Sequence, residues 1–316
     1  MNWTPDVARQ MSAKAEKKGG LEAALRGGSR EVWDGFDVRV LRNGMVEVGV
    51  APELGAKVVS LKNLRTGRQW MYHSNGGIRL FRNKPGDDFA RSPVSGWDEC
   101  LPTIQPCQWR GRALPDHGEV WSRAWHLDET AWEGGVIKTI VRLPISPFEF
   151  TRTITLRGGK LDVEYEIMNL DSGPQEYLWA MHPMLALQPG DRLLFPRAVR
   201  QCVGHEPWVD SLEFETQAPA FAKVFASPLR QGKAAVFNCV SGDQLTLRWD
   251  AAENNALGIW LTRGGWNDHH HLALEPANGA SDSLALAAGA GKCRGVLPAG
   301  GRKRWNVEIR LEPCRY

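Results

Sequence analysis

Apolar and polar positions alternate along much of this chain. In residues 161–168, Leu161, Val163, Tyr165 and Ile167 are apolar while Asp162, Glu164 and Glu166 are acidic. Residues 304–311 repeat the pattern, with Trp305, Val307, Ile309 and Leu311 opposed to Arg304, Asn306, Glu308 and Arg310. Residues 244–250 place Leu245, Leu247 and Trp249 on one side. A period of two marks a strand with one buried and one wet face, as in antiparallel sheet. Residues 37–42 and 45–50 flank Asn43-Gly44, a pair that tolerates positive φ and predicts a two-residue hairpin. Residues 57–64 read as the next strand, closed by Thr66-Gly67. After residue 30 there is no long amphipathic helix, no internal repeat and no linker. Many short strands separated by Gly, Pro and Asp turns predict an all-β sandwich of antiparallel sheets.

Two segments depart from this pattern. Residues 6–26 have helix-compatible composition with glycine breaks. Residues 1–30 therefore read as a short helical arm that packs on the body or on a second subunit, leaving a β domain over 31–316. The expected assembly is a monomer or homodimer. Residues 73–123 are turn-rich yet carry Trp97, Trp109, Trp121, Arg79, Arg82 and Arg91. A long irregular stretch in a compact domain is either functional or disordered, and the aromatic content predicts loops that line a cleft.

Composition narrows the partners. The net charge of +3 over 316 residues, with signs mixed and no basic stripe, argues against a nucleic-acid partner. No apolar signal core opens the chain and no apolar run approaches the length of a membrane span, so a cytoplasmic protein without a membrane partner is expected. The six cysteines include no C-x-x-C pair, which predicts free thiols in a reducing compartment. Fourteen tryptophans suit a large aromatic core or platforms on which sugars stack.

Four stretches carry candidate chemistry. Residues 175–187 form an apolar strand holding one titratable group, His182, on the face of Leu178 and Ala180. Residues 266–276 end in Glu275, a carboxylate placed at the close of an apolar strand, where burial would raise its pKa. The same stretch contains His269 and His271 beside Asp268, which could chelate a metal, but no second cluster of matching spacing accompanies them. His117 lies between Asp116 and Gly118 in the loop region. Trp97, Asp98 and Glu99 are adjacent, a set suited to vicinal sugar hydroxyls or to pairing with Arg79, Arg82 or Arg91. No phosphate loop, dinucleotide fingerprint or nucleophile elbow is present.

Taken together, these stretches resemble the aldose 1-epimerase (galactose mutarotase-like) family. The resemblance rests on residues 53–61 with Thr66-Gly67-Arg68, on Asp116-His117-Gly118, on residues 177–187, and on Leu274-Glu275-Pro276. It covers about residues 33–312, with the motifs in order. It implies an antiparallel β-supersandwich and an isomerase that interconverts the anomers of a free sugar without a cofactor or metal. It also implies that Glu275 is the general base, His182 the general acid and His117 a residue that positions the sugar. Other readings stay open: an epimerase for an anionic sugar held by Arg79, Arg82, Lys84 and Arg91, and a non-catalytic sugar-binding protein on the same scaffold. The motif around His182 and the Gly96-Trp97-Asp98-Glu99 run depart from the usual pattern and mark a divergent subgroup.

Overall fold

A computed structural model describes residues 28–74, 76–194, 200–201, 220–289 and 294–314. Within them, antiparallel strands build two large sheets. One has ten strands, in the order Gly28–Trp33, Phe36–Arg42, Val46–Ala51, Lys57–Asn63, Trp97–Cys100, Ala180–Ala186, His270–Ala277, Ala256–Arg263, Ala220–Ala226 and Arg200–Gln201. The other has eight, in the order Arg192–Leu194, Gly232–Asn238, Asp243–Trp249, Arg302–Pro313, Lys160–Asn169, Phe148–Arg157, Ile137–Arg142 and His126–Leu127. α-Helix among the described residues is limited to Glu129–Glu133 and Leu284–Gly289. The architecture is the all-β antiparallel sandwich that the alternation predicts.

The period of two also explains how the sheets meet. Leu161 pairs with Ile309, Val163 with Val307 and Tyr165 with Trp305, so both apolar rows lie on one face of the eight-stranded sheet. That face shares one buried cluster with Met181, Leu185, Ile259, Leu272 and Leu274 of the ten-stranded sheet. Once these side chains point inward, their sequence neighbours must point out. His182, His271, Glu275 and Lys223 therefore occupy the face of the ten-stranded sheet turned away from its partner.

The hairpin around Asn43-Gly44 forms between Phe36–Arg42 and Val46–Ala51, but its turn is held differently from the prediction. Neither residue takes positive φ. Instead the Asn43 side-chain oxygen accepts from the backbone N–H groups of Met45 and Val46, at 2.8 and 2.9 Å. The two-residue turn with positive φ lies earlier, at Asp34 (49°) and Gly35 (83°), and joins Gly28–Trp33 to Phe36–Arg42. Residues 28–30 belong to a strand, and the rest of the expected helical arm, 1–27, lies outside the described residues.

The 73–123 region holds a central strand, Trp97–Cys100, which pairs with Lys57–Asn63 on one side and Ala180–Ala186 on the other. Glu99 is fully buried between the sheets. It accepts hydrogen bonds from Trp97 Nε1 (3.0 Å), Arg152 Nη1 (3.0 Å), Tyr165 OH (2.9 Å) and Trp179 Nε1 (3.0 Å). Burial pushes its carboxyl up to about 7, with Arg152 and the other donors pulling the other way. Trp97 is equally buried, with the Arg152 guanidinium over its ring. Trp97 and Glu99, expected to touch a sugar, are instead buried, with Glu99 bonded across to the other sheet. Adjacent carboxylates look like a wet patch in a sequence, but a strand sends them to opposite faces.

Candidate active site

The register of three central strands assembles the site. Ala180 pairs with Ala277 and Met184 with Ala273, which sets His182 across from Glu275. His182 Nε2 lies 3.5 Å from Glu275 Oε1. On the other side Glu275 pairs with Gly258. A Cβ at Gly258 would stand 2.7 Å from Glu275 Oε2, so only glycine leaves the carboxylate its space. The next strand brings Lys223, whose ammonium lies 3.2 Å from Glu275 Oε2 and 2.9 Å from Asp282 Oδ1.

His117 arrives from a loop. It adopts φ 54° and Gly118 adopts φ 74°, two successive left-handed residues that turn the chain sharply. A Cβ at Gly118 would meet the Leu101 carbonyl oxygen at 2.1 Å, so the loop is pressed directly onto the segment that follows Trp97–Cys100. Asp116 Oδ1 lies 2.9 Å from His117 Nδ1, and Asp116 Oδ2 accepts from the Phe89 backbone at 2.8 Å. Phe89 stacks on His117 with ring centres 3.9 Å apart. The His117 and His182 rings meet edge to face at 5.1 Å.

A cavity of about 250 Å³ opens over this group. Its polar lining includes His117, His182, Lys223, Asp116, Asp282 and Gln105, and Phe89, Trp260 and Trp266 supply aromatic faces. Glu275 is fully buried behind the lining residues His182 and Lys223, 3.5 and 3.2 Å from them.

Burial dominates the electrostatics. It pushes the His182 imidazole well below its ordinary pKa, and the neighbouring His117 and Lys223 push the same way. It raises the Glu275 carboxyl, against the pull of Lys223. Burial also acts to lower the Lys223 ammonium, but Glu275 and Asp282 outweigh it and leave the pKa raised. His271 is pushed down to about 3 by burial and by the two preceding histidines. A neutral His182 therefore lies beside a carboxyl that burial pushes toward protonation and Lys223 pulls back toward its charged form. Among the described residues, Glu275 Oε1 and His182 Nδ1 are buried without a hydrogen-bond partner.

Of the residues singled out in the sequence, His117, His182 and Glu275 come together here. Arg79 does not: it is exposed and sits 3.4 Å from Asp34. Asp98 pairs with His182 across the strands and shares its face, but it is sealed under the site and engaged by Lys57. Arg79 and Asp98, both expected at the sugar, do not line the cavity. Arg82 pairs with Glu53, and Arg91 lies 3.4 Å from Asp88. Arg82 and Lys84 line a separate cavity of about 570 Å³. His269, His271 and Asp268 do not converge as a metal-capable group among the described residues, and His269 Nδ1 is 3.1 Å from the Tyr72 hydroxyl. The metal-capable donors that do converge among the described residues are those of Cys100, His117 and His182, all within 4.8 Å of one another.

Sequence reasoning missed Lys223, Asp282, Phe89, Trp260 and Trp266. For Lys223 a signal was present: it is the one charge in the apolar strand Ala220–Ala226, as His182 is the one titratable group in its own. Asp282 and Phe89 lie in loops whose sequence says nothing of where they converge.

No family model matches the chain, and no curated protein does. Solved structures do. The Slr1438 protein from Synechocystis sp. PCC 6803 superposes with a TM-score of 0.69 at 16% identity, covering 88% of this chain and 96% of that one. A galactose mutarotase-like protein from Clostridium acetobutylicum gives 0.66 at 12% identity, over 91% and 99% of the two chains. Another from Lactobacillus casei ATCC 334 gives 0.62 at 17% identity, over 87% and 100%. The fold is galactose mutarotase-like.

Proposed function

We propose that this chain, with its galactose mutarotase-like fold, is an aldose 1-epimerase acting on an uncharged free sugar. The observation that carries this reading is the buried, unpartnered Glu275 Oε1, set 3.5 Å from His182 Nε2 beneath an aromatic-walled cavity. In a cyclic sugar the anomeric hydroxyl and the ring oxygen share one carbon. A base and an N–H donor this close together can address both at once.

The proton inventory follows from the charges. Glu275, held ionised by Lys223, removes the anomeric hydroxyl proton as the bond between C1 and the ring oxygen breaks. His182, neutral, donates its Nε2 proton to that ring oxygen. The proton now on Glu275 refills His182 Nε2 across the short gap, so the pair ends as it began. Rotation about C1–C2 and the reverse sequence on the other face of the aldehyde give the other anomer. His117, fixed by Asp116 and stacked on Phe89, positions the sugar. Trp260 and Trp266 offer apolar faces to its C–H groups.

The cavity's charges favour a neutral substrate over a phosphorylated or sulfonated one. Lys223 is shared between Glu275 and Asp282, and Asp116 adds a third carboxyl. Arg79, Arg82, Lys84 and Arg91, the cations that could hold an anionic sugar, lie outside this lining. A binding protein without catalysis would gain nothing from a desolvated acceptor beside an imidazole. The test is exchange NMR on glucose, galactose and a hexose 6-phosphate with the purified chain. Faster anomer exchange of a neutral aldose supports the reading. Acceleration of the phosphate ester alone overturns the substrate assignment, and acceleration of none overturns the activity.

A further inference from the structure

We propose that Cys100, His117 and His182 form a binding site for a borderline-soft divalent cation, zinc above all, and that its occupation switches the sugar site off. The Cys100 sulfur and one ring nitrogen from each histidine lie within 4.8 Å of one another. Cys100 and His182 come from neighbouring strands and His117 from the loop pressed onto them. Thiolate with imidazole is the donor set that selects zinc and its neighbours over calcium or magnesium.

The surroundings match what a metal-bound histidine needs, a carboxylate behind each ring. His117 Nδ1 is engaged by Asp116 at 2.9 Å, which leaves Nε2 to bind. His182 Nε2 faces Glu275 Oε1, which leaves Nδ1. That Nδ1 is buried and without a hydrogen-bond partner, on a side chain only 6% exposed. Bonds of the usual zinc lengths place such donors about 3.5 Å apart, so binding draws the three inward by about an ångström. On binding, the Cys100 thiol releases its proton to solvent and both imidazoles bind neutral. His117 and His182 both line the cavity, so a water from it can complete the shell. A cation there fixes His117 and His182 and occupies space above them, so sugar and metal exclude each other. The inhibition rests on the epimerase reading, whereas the binding does not.

The experiment uses the full chain, reduced and chelator-treated, as wild type and as Cys100→Ser, with near-UV circular dichroism to confirm that both are folded. Co²⁺ is titrated first, because a thiolate ligand gives an absorption band that oxygen and nitrogen ligands do not. Zn²⁺ affinity is then measured against a chromophoric chelator. The expected result is a thiolate band saturating at one ion per wild-type chain, absent in Cys100→Ser, with zinc affinity lower by at least tenfold in the variant. Zn²⁺ should also suppress anomer exchange in the wild type and leave Cys100→Ser active. An absent band, or an equal band in the variant, overturns the site. A wild type that binds zinc yet exchanges sugar undiminished overturns the switch. A wild type with no exchange activity defeats the epimerase reading while the Co²⁺ band still decides the site.

Discussion

Replacing Lys223 by Met removes, at nearly constant volume, the ammonium that serves the buried Glu275 and the partly exposed Asp282. Glu275 is fully buried and Lys223 itself is only 19% exposed, so solvent cannot substitute for the lost charge. Breaking a buried pair by removing one partner costs about 3–5 kcal/mol while the remaining charge persists. Glu275 can escape that cost by binding a proton, because its carboxyl is already raised above 4.5 by burial and loses the charge that opposed the rise. A carboxyl raised in the folded state makes folding more favourable at low pH, and that stability is lost as pH climbs through the folded pKa. The destabilisation should therefore be small at about pH 5 and grow to about 3–5 kcal/mol near pH 8. Urea denaturation of wild type and Lys223→Met at the two pH values measures it. An equal loss at both, or a loss under about 1 kcal/mol at the higher pH, would show that Lys223 does not hold Glu275 ionised.

Further outcomes follow from the same geometry. Gly258→Ala sets a methyl 2.7 Å from Glu275 Oε2 and must displace the carboxylate, so anomer exchange should fall at least tenfold while the urea midpoint shifts little; unchanged exchange would contradict the cradle. The relay needs Glu275 ionised and His182 neutral. With the carboxyl raised and the imidazole lowered, kcat/KM should fall as pH drops through the Glu275 pKa and level off above it. A rate that climbs as pH is lowered from 7 to 6 would instead mean that His182 works as an imidazolium. Glu99→Gln unbalances the four-donor network between the sheets and should cost about 3–5 kcal/mol in chemical denaturation; a cost near zero would mean that the network is not a clasp.

How much of this was legible depends on what each feature rests on. The sandwich was, because Leu161 through Ile167 and Trp305 through Leu311 write their burial into a period of two. His182 stood out for the same reason, as the lone titratable group of an apolar strand, and Glu275 as the one carboxylate in the strand His270–Ala277. Glu99 misled because local sequence does not show Arg152, which comes from 53 positions away to pair with it. Asp98 misled for the same reason, since Lys57 reaches it across the sheet. The Asp34-Gly35 pair carries the same hairpin signal and forms the positive-φ turn, while Asn43-Gly44 gives its hairpin through a different hydrogen-bond pattern. Lys223, Asp282 and Phe89 meet only through strand order and loop placement, which no local pattern encodes.

The most direct test of the central claim compares wild type with Glu275→Gln, measuring anomer exchange of a neutral aldose and its binding on the same samples. The substitution keeps the shape and removes the base. Binding should persist while the enzymatic exchange rate falls by about 10²–10⁴-fold. Full exchange in Glu275→Gln would contradict the account, because the proton would then leave the anomeric hydroxyl by another route.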